Sequence, residues 1–451
     1  MSFPAYPEYK QSGFDWLPEV PSHWVDRKIA RDIPFVVGWT PPSGKDAYYD
    51  GDLPWVTIAD MTQMSVQDTK SKISHLAVQD KGAKVVPAGS MLFSFKLSVG
   101  KIAFLTIDSY TNEAIAGFLP CGPLDLEYWK YAAPEFIPRY GRENIYGATL
   151  LNQELISSVR FSAPVRAEQT QIARFLNYET ARIDALIEEQ HRLIELLKEK
   201  RQAVISHAVT RGLDPTVPMK DSGVEWLGEV PAHWTVTKLK FVTDQVVDCP
   251  HETPIYDPCG DYLVIRTADI DQGVLKPERM YRLDREQYAH RIRRMSLEKN
   301  DVVYSREGER WGHAALVPQA DLYALGQRMM QMRVCDSICP EFFMFQLNSV
   351  ATYRQGEVDT VGATAPHVNI STVINYCLMR PGMDEQKEIS EYLSKTLDAL
   401  DCLIDESLEM KRLLQERRSA LISAAVTGKI DVRGWQPPAS VKTIVLEAEA
   451  V

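Results

Sequence analysis

The sequence predicts an α+β protein: two homologous mixed α/β domains separated by a long antiparallel two-helix coiled coil, a pseudo-twofold internal duplication. Three observations carry this expectation. A tryptophan-rich signature, SGFDWLPEVPSHW at residues 12–24, returns as SGVEWLGEVPAHW at 222–234, and a repeat of that length has to be read before any local element. Two stretches, 168–210 and 385–427, hold neither proline nor glycine and space their apolar residues helically. The bodies before them are rich in Pro, Gly and aromatics and carry short β-type runs such as LPWVTI and DVVYS.

The remaining elements of the repeat follow in one order. WVTIADM (55–61) is echoed by VIRTADI (264–270), and LFSFKLSVGKIAFL (92–105) by VYSREGERWGHAAL (303–316). GATLLNQ (147–153) matches GATAPHVN (362–369), and PVRAEQTQIARFL (164–176) matches PGMDEQKEISEYL (381–393). The segmentation expected is a first body over 1–163, a helix over 164–213, a second body over 214–380, a second helix over 381–430 and a tail over 431–451.

Each helix is expected to run for about 43 residues, roughly 65 Å at 1.5 Å per residue. Pro164 and Pro381 stand before the helices, and Gly212 and Gly428 follow them as C-terminal stops. One heptad seam reads Leu176, Ile183, Leu197 and Val204, with Leu186 and Leu193 between; its counterpart reads Leu393, Leu400, Leu414 and Leu421, with Leu403 and Met410 between. Gln190 and Ser407 break the seam at the same heptad position. Such a residue either fixes register or marks a solvated break.

Composition narrows the function classes. With 451 residues, a net charge of −11 and a pI near 5.4, the chain is not one that binds nucleic acid by bulk charge, although local basic faces remain open to it. No apolar run approaches a membrane span, and the N-terminus MSFPAYPEYK has no secretory pattern. Seven cysteines read as free thiols of a reducing cytoplasm.

The enzymatic motifs fail in turn. GWTPPSGKD (38–46) has five residues between its glycines where a phosphate loop has four, and Asp46 stands where a magnesium-binding hydroxyl belongs. There is no GxGxxG and no GxSxG. DPCG at Asp257 lacks the second proline and the aromatic of an adenine methyltransferase loop. Cys249, His251, Cys259, Cys335 and Cys339 invite a zinc reading, but no CxxC pair exists, so no metal site is expected. His23 and His233 lie inside the tryptophan signature and read as parts of a packed turn.

Interaction chemistry is better represented. Residues 281–294, YRLDREQYAHRIRR, hold five arginines, among them Arg282, Arg285 and Arg291, against one aspartate and one glutamate. Guanidinium and aromatic groups suit phosphate contact and base-edge reading. Lys96 and Lys101 in the first body, and Arg306 and Arg310 in the second, flank glycine-containing loops at what read as matching positions. Lys70, Lys72, Lys81 and Lys84 form a further basic stretch. Charged runs are usually solvated faces; recurrence in both bodies raises these above that reading.

These segments, in this duplicated order, resemble the specificity subunit of a type I restriction-modification system. TPPSGKDAYYDGDLPWVTIADM (40–61) is similar to the opening of a family target-recognition domain, the SFKLSVGKIAF and SREGERWGHAAL segments to its Ser-basic-Gly loop, and LGQRMM (325–330) to its GQ segment. The first body departs with GATLLNQ, and the second lacks the TPS opening. The resemblance implies a chain that performs no catalysis and binds no cofactor. It would read a bipartite asymmetric site in double-stranded DNA, one half per body, with the helices setting the gap. Two methylation subunits would bring S-adenosylmethionine, and two restriction-translocation subunits ATP and Mg. It adds Lys45, Tyr48, Arg266, Gln327 and Arg328 to the DNA-binding candidates. The alternative is a coiled-coil adaptor whose two heads bind proteins.

Overall fold

The structure, a computed structural model, describes residues 3–96, 98–143, 149–308, 310–358 and 367–438. The GAT portions of the repeat, at 147–148 and 362–366, and the tail beyond 438 lie outside the described residues. The chain forms two compact units, Met1–Glu189 with Met410–Val451, and Gln190–Glu409. The division falls inside both long helices, Arg166–Arg211 and Met383–Val426, so each unit is one body with the adjoining half of each helix.

In the first unit a five-stranded sheet has the order Phe35–Val37, Ile115–Phe118, Met91–Ser94, Ile102–Leu105, Ser65–Val66. A three-stranded sheet places Leu53–Val56 between Tyr110–Thr111, parallel to it, and Ser71–Ile73, antiparallel. The strands Met91–Ser94 and Ile115–Phe118 are buried throughout, which is why they read as continuous apolar runs. Trp24, Phe93, Phe118, Trp129, Phe136, Phe161 and Phe175 fill the core.

The second unit repeats the plan. Thr243–Asp248, Met329–Val334, Val302–Ser305 and Ala314–Leu316 form a four-stranded sheet, and Tyr262–Ile265 lies between Tyr281–Leu283 and Tyr323–Leu325. Registers coincide: Pro54 faces Lys72 in the first unit as Leu263 faces Arg282 in the second. The described residues contain no helix long and apolar enough to cross a membrane.

The tryptophan signature joins body to helix through a glutamate in both units, with Tyr6 as an added partner in the first. Glu168, near the start of the first helix, is buried and accepts hydrogen bonds from Tyr6 Oη (2.7 Å) and Trp24 Nε1 (3.0 Å), with His23 Nε2 at 2.8 Å. Its counterpart, Glu385, accepts from Trp234 Nε1 (3.0 Å), with His233 Nε2 at 2.9 Å. The histidines are therefore parts of a packed node. Gly428, at φ +76°, ends the second helix against this signature, and a Cβ there would lie 2.4 Å from Pro21 and 3.2 Å from Trp24. At Gly212 (φ +74°) the nearest atom, on Trp234, is 3.3 Å away. Gly428→Ala is therefore expected to destabilise by more than about 1 kcal/mol, and by more than Gly212→Ala. Thermal unfolding of the two variants tests the order.

Within each unit the helix halves run antiparallel. In the first, Asp184 pairs with Arg418 at 2.7 Å while Gln171, earlier on the same helix, donates to the carbonyls of Val432 and Trp435. In the second, Arg201 pairs with Asp401 at 2.9 Å. The 217-residue offset from Glu168 to Glu385 carries Arg201 onto Arg418 and Asp184 onto Asp401.

The seam departs from expectation at four positions. Leu176, Ile183, Leu197, Leu393 and Leu400 are buried, and Val204 and Leu421 pack against the cores. Leu186, Leu193, Leu403 and Met410 are instead exposed. The second row is formed by Ala173, Thr180, Ile194 and Arg201 on one helix and by Ser390, Leu397 and Ile404 on the other. The pairs Leu186–Ile187 and Leu193–Ile194 offer an apolar residue at either a three- or a four-residue step. Packing against the partner helix selects the four-residue step. Ser407 is buried and Gln190 half-buried.

Candidate nucleic-acid interface

In the first unit the edge strand Ser71–Ile73 buries Ile73 and turns Lys72 to solvent, as the two-residue period of a strand requires. Lys70 beside it is exposed, its backbone amide donating to Asp60 Oδ1 at 3.0 Å. Lys45 is exposed and its ammonium donates to Tyr48 Oη at 2.9 Å. Lys96 is exposed and Lys101 half-buried. Near Lys96, the Glu113 carboxyl is held below its ordinary range by a hydrogen bond from the Thr40 hydroxyl, with the Lys96 charge adding to it. Tyr48 departs from the expectation of a DNA contact: it is buried and its hydroxyl donates to Asp80 Oδ2 at 2.7 Å.

In the second unit Arg282 holds the edge-strand position that Lys72 holds in the first, exposed, with Nη1 donating to the Gly260 carbonyl at 3.0 Å. Arg285 is exposed at the start of the helix Arg285–Arg291, whose N-cap is Asp284, and has no partner among the described residues. Arg328 is exposed at φ +70°, 3.5 Å from Glu307. A non-glycine residue in that conformation is strained, and such strain gathers at functional sites. Gln327 is half-buried and accepts from Thr253 Oγ1 at 3.2 Å.

Other arginines serve the fold. Arg266 pairs bidentately with buried Asp269 (2.9 and 2.8 Å) and lies 3.7 Å from the centre of the Tyr281 ring. Arg310 donates to the carbonyls of Ala268 (3.2 Å) and Ile270 (3.1 Å). Arg306 is buried, donating to both oxygens of Asp248 at 3.1 and 3.2 Å. Arg291 is buried, with Nε donating to Leu325 O and Nη1 to Glu252 O, both at 2.8 Å, and burial pushes its pKa down. Arg291 and Arg306 thus depart from the expectation of DNA contacts: both are buried, Arg306 against the Asp248 carboxylate and Arg291 against two backbone carbonyls.

The match of Lys96 and Lys101 with Arg306 and Arg310 also shifts. Ser94 N donates to Lys101 O as Ser305 N donates to His313 O, both at 2.8 Å, and Gly100 N and Gly312 N close the two loops onto Ser94 O and Ser305 O. The extra residue in the second loop makes His313 the counterpart of Lys101. Ser94 Oγ and Ser305 Oγ donate to Lys96 O and Glu307 O, which makes Glu307 the counterpart of Lys96. His313 is half-buried, and burial pushes its pKa down. It lines a cavity of about 860 Å³ with Arg201, Gln272 and Tyr353.

One cluster was not singled out from the sequence. The turn at 248–253 gathers Arg291, Arg293, Arg294, Arg306 and Arg328 with Asp248, Glu252 and Glu307. His290 holds the Glu252 carboxyl below its ordinary range through a hydrogen bond, and burial raises the Cys249 thiol. The signal available was the density of arginine at 281–294; its target, 40 residues upstream, was not visible. All seven cysteines are free, and no group of three or more His, Cys, Asp or Glu among the described residues is placed to hold a metal.

Comparison with known proteins agrees with this two-bodied arrangement. The family model described as type I restriction modification DNA specificity domain matches residues 21–196 and 258–409, together more than half of the chain. The chain is 26% identical over 199 residues to the type I restriction enzyme MjaIX specificity subunit of Methanocaldococcus jannaschii, covering 43% of this chain and 44% of that relative. It is 22% identical over 294 residues to the MjaVIII specificity subunit of the same organism, covering 64% and 66%. These matches span less than two thirds of either relative. A solved chain described under "Structural basis underlying complex assembly and conformational transition of the type I R-M system" superimposes with a TM-score of 0.69 at 14% identity, over 91% of this chain and 99% of that one. That is a likeness of fold.

Proposed function

Since the chain belongs to the type I restriction modification DNA specificity domain family, we propose that it is the DNA specificity subunit of a type I restriction-modification complex. In this reading it is a non-catalytic, cytoplasmic scaffold. The bodies at 1–163 and 214–380 each read one half of a bipartite double-stranded DNA target, and the helices at 164–213 and 381–430 set the gap. The observation that carries the reading is the duplication of whole interaction nodes: Glu168 with Trp24 and His23 against Glu385 with Trp234 and His233. Two readers built alike, with unlike loops, suit two half-sites that differ in sequence.

S-adenosylmethionine would enter with two methylation subunits, and ATP and Mg with two restriction-translocation subunits. The exposed helix leucines supply a docking surface for the methylation subunits. Leu186, Met410 and Leu413 are exposed in the first unit, and Leu193, Leu196, Leu403 and Leu408 in the second. Leu193 with Leu196, and Met410 with Leu413, stand three residues apart on a helix face, and exposed apolar patches suit a protein interface. With partners contributing positive field around the DNA, the net charge of −11 is no obstacle.

The test is to express the chain with the methylation subunit of its own system and map adenine methylation by single-molecule sequencing. A split, asymmetric motif is expected, with one half following each body when bodies are exchanged. A continuous palindrome would overturn the reading, and the absence of any DNA binding would leave the adaptor alternative. Lys72→Ala and Arg282→Ala are each expected to weaken binding by the methylation-competent complex without changing the motif. Each should also lower the slope of log affinity against log salt by about one, measured by titration at several salt concentrations.

A further inference from the structure

We propose that Glu113 in the first body and Gln327 in the second are equivalent base-reading residues, Glu113 selecting cytosine and Gln327 adenine, with Thr40 and Thr253 as their positioning residues. The inference rests on the reading of the chain as a DNA specificity subunit.

Backbone register makes the two positions equivalent. Thr111 lies opposite Val56 in one parallel strand pair, and Leu325 lies opposite Ile265 in the other. At the next residue Asn112 N donates to Val56 O at 3.0 Å, and Gly326 N donates to Ile265 O at 2.8 Å. Two residues further, Ala114 O accepts from Phe95 N at 2.9 Å and Arg328 O from Arg306 N at 3.2 Å. Glu113 and Gln327 each stand between these two anchors, on the link from the smaller sheet to the larger.

Each side chain is held by a threonine from the loop after the first strand of the larger sheet, Phe35–Val37 or Thr243–Asp248. Thr40 Oγ1 donates to Glu113 Oε2, and Thr253 Oγ1 to Gln327 Oε1 at 3.2 Å. The partners stand 73 and 74 residues apart in the chain, so folding rather than sequence proximity brings them together. A side chain held before DNA arrives costs less to order on binding. Gln327 Nε2 also donates to His251 O at 3.4 Å, and among the described residues the amide keeps one N–H and one oxygen lone pair unspent. Glu113 is exposed and Gln327 half-buried, with exposed Lys96 and Arg328 beside them, where cations suit phosphates.

Hydrogen-bond chemistry separates the two residues. An ionised carboxylate only accepts, so in the major groove it suits cytosine N4 and is repelled by the carbonyls of thymine and guanine. Against adenine it gains N6 but meets the N7 lone pair. A carboxamide both donates and accepts, which matches adenine N7 and N6 together. The bond from Thr40, with the Lys96 charge, holds the Glu113 carboxyl below its ordinary range, so it offers acceptors alone at neutral pH. Glutamates on solvated faces are common, but solvation does not account for a threonine clamp at the same register in both bodies.

The experiment uses the full chain with its methylation subunit and maps methylated motifs for wild type, Glu113→Gln and Gln327→Glu, two nearly isosteric exchanges. Glu113→Gln should move one position of one half-site from cytosine toward adenine. Gln327→Glu should move one position of the other half from adenine toward cytosine. Each preference is expected to shift about tenfold, with the other positions and the spacer unchanged. Thr40→Val and Thr253→Val should weaken discrimination at those same positions only, and Thr40→Ser and Thr253→Ser should retain it. An unchanged base preference in either exchange would overturn the proposal, as would both shifts falling in one half-site. So would a uniform loss of methylation with no change of motif, which is the signature of a merely structural role. A wild-type protein without a split motif would instead overturn the specificity-subunit reading, and that is judged from the wild type alone.

Discussion

Glu168→Ala is expected to cost the first unit about 3–5 kcal/mol. The carboxylate is buried and receives Tyr6 Oη, Trp24 Nε1 and His23 Nε2 within 3.0 Å. Removing it strands two buried donors, each with its own desolvation penalty. Trp24 is itself among the largest fully buried side chains and Tyr6 is 4% exposed, so water cannot enter to replace the lost acceptor. Glu385→Ala should cost clearly less, about 1–2 kcal/mol, because the Glu385 side chain is 31% exposed and has only His233 and Trp234 as partners among the described residues. Urea unfolding of both variants, followed by tryptophan fluorescence, gives the comparison. Equal shifts in midpoint would show that burial of the carboxylate does not set the cost.

Inserting one heptad into both long helices is expected to change the target while leaving its halves alone. Seven residues add about 10.5 Å of helix, which is about three base pairs at 3.4 Å each. A full heptad restores the facing of each seam residue, so the Asp184–Arg418 and Arg201–Asp401 pairings can re-form. Methylation mapping should then return the two wild-type half-sites with a longer spacer, or no methylation if the partner subunits cannot span the new distance. Altered half-sites would sink the division of labour between bodies and helices.

Much of this was legible in the chain. The Trp24/Trp234 signature reported the duplication because tryptophan, proline and histidine in fixed order do not recur by chance. The absence of Pro and Gly from 168–210 and 385–427 reported the helices, described as Arg166–Arg211 and Met383–Val426. Among the candidate site residues, Lys72 and Arg282 stand exposed on edge strands, where the two-residue period turns them to solvent. Tyr48, Arg291 and Arg306 are buried, which the sequence does not announce, since a charged or phenolic side chain carries no local mark of its partner. Asp248 lies 58 residues from Arg306.

The sequence alone therefore determined what depends on neighbours along the chain: the repeat, the helical stretches and the family. Only the tertiary structure decided which of two adjacent apolar residues enters the helix seam, because a period of 3.6 tolerates both steps. It also decided which arginines face solvent, because that depends on which carboxylates and carbonyls folding brings within 3 Å of them.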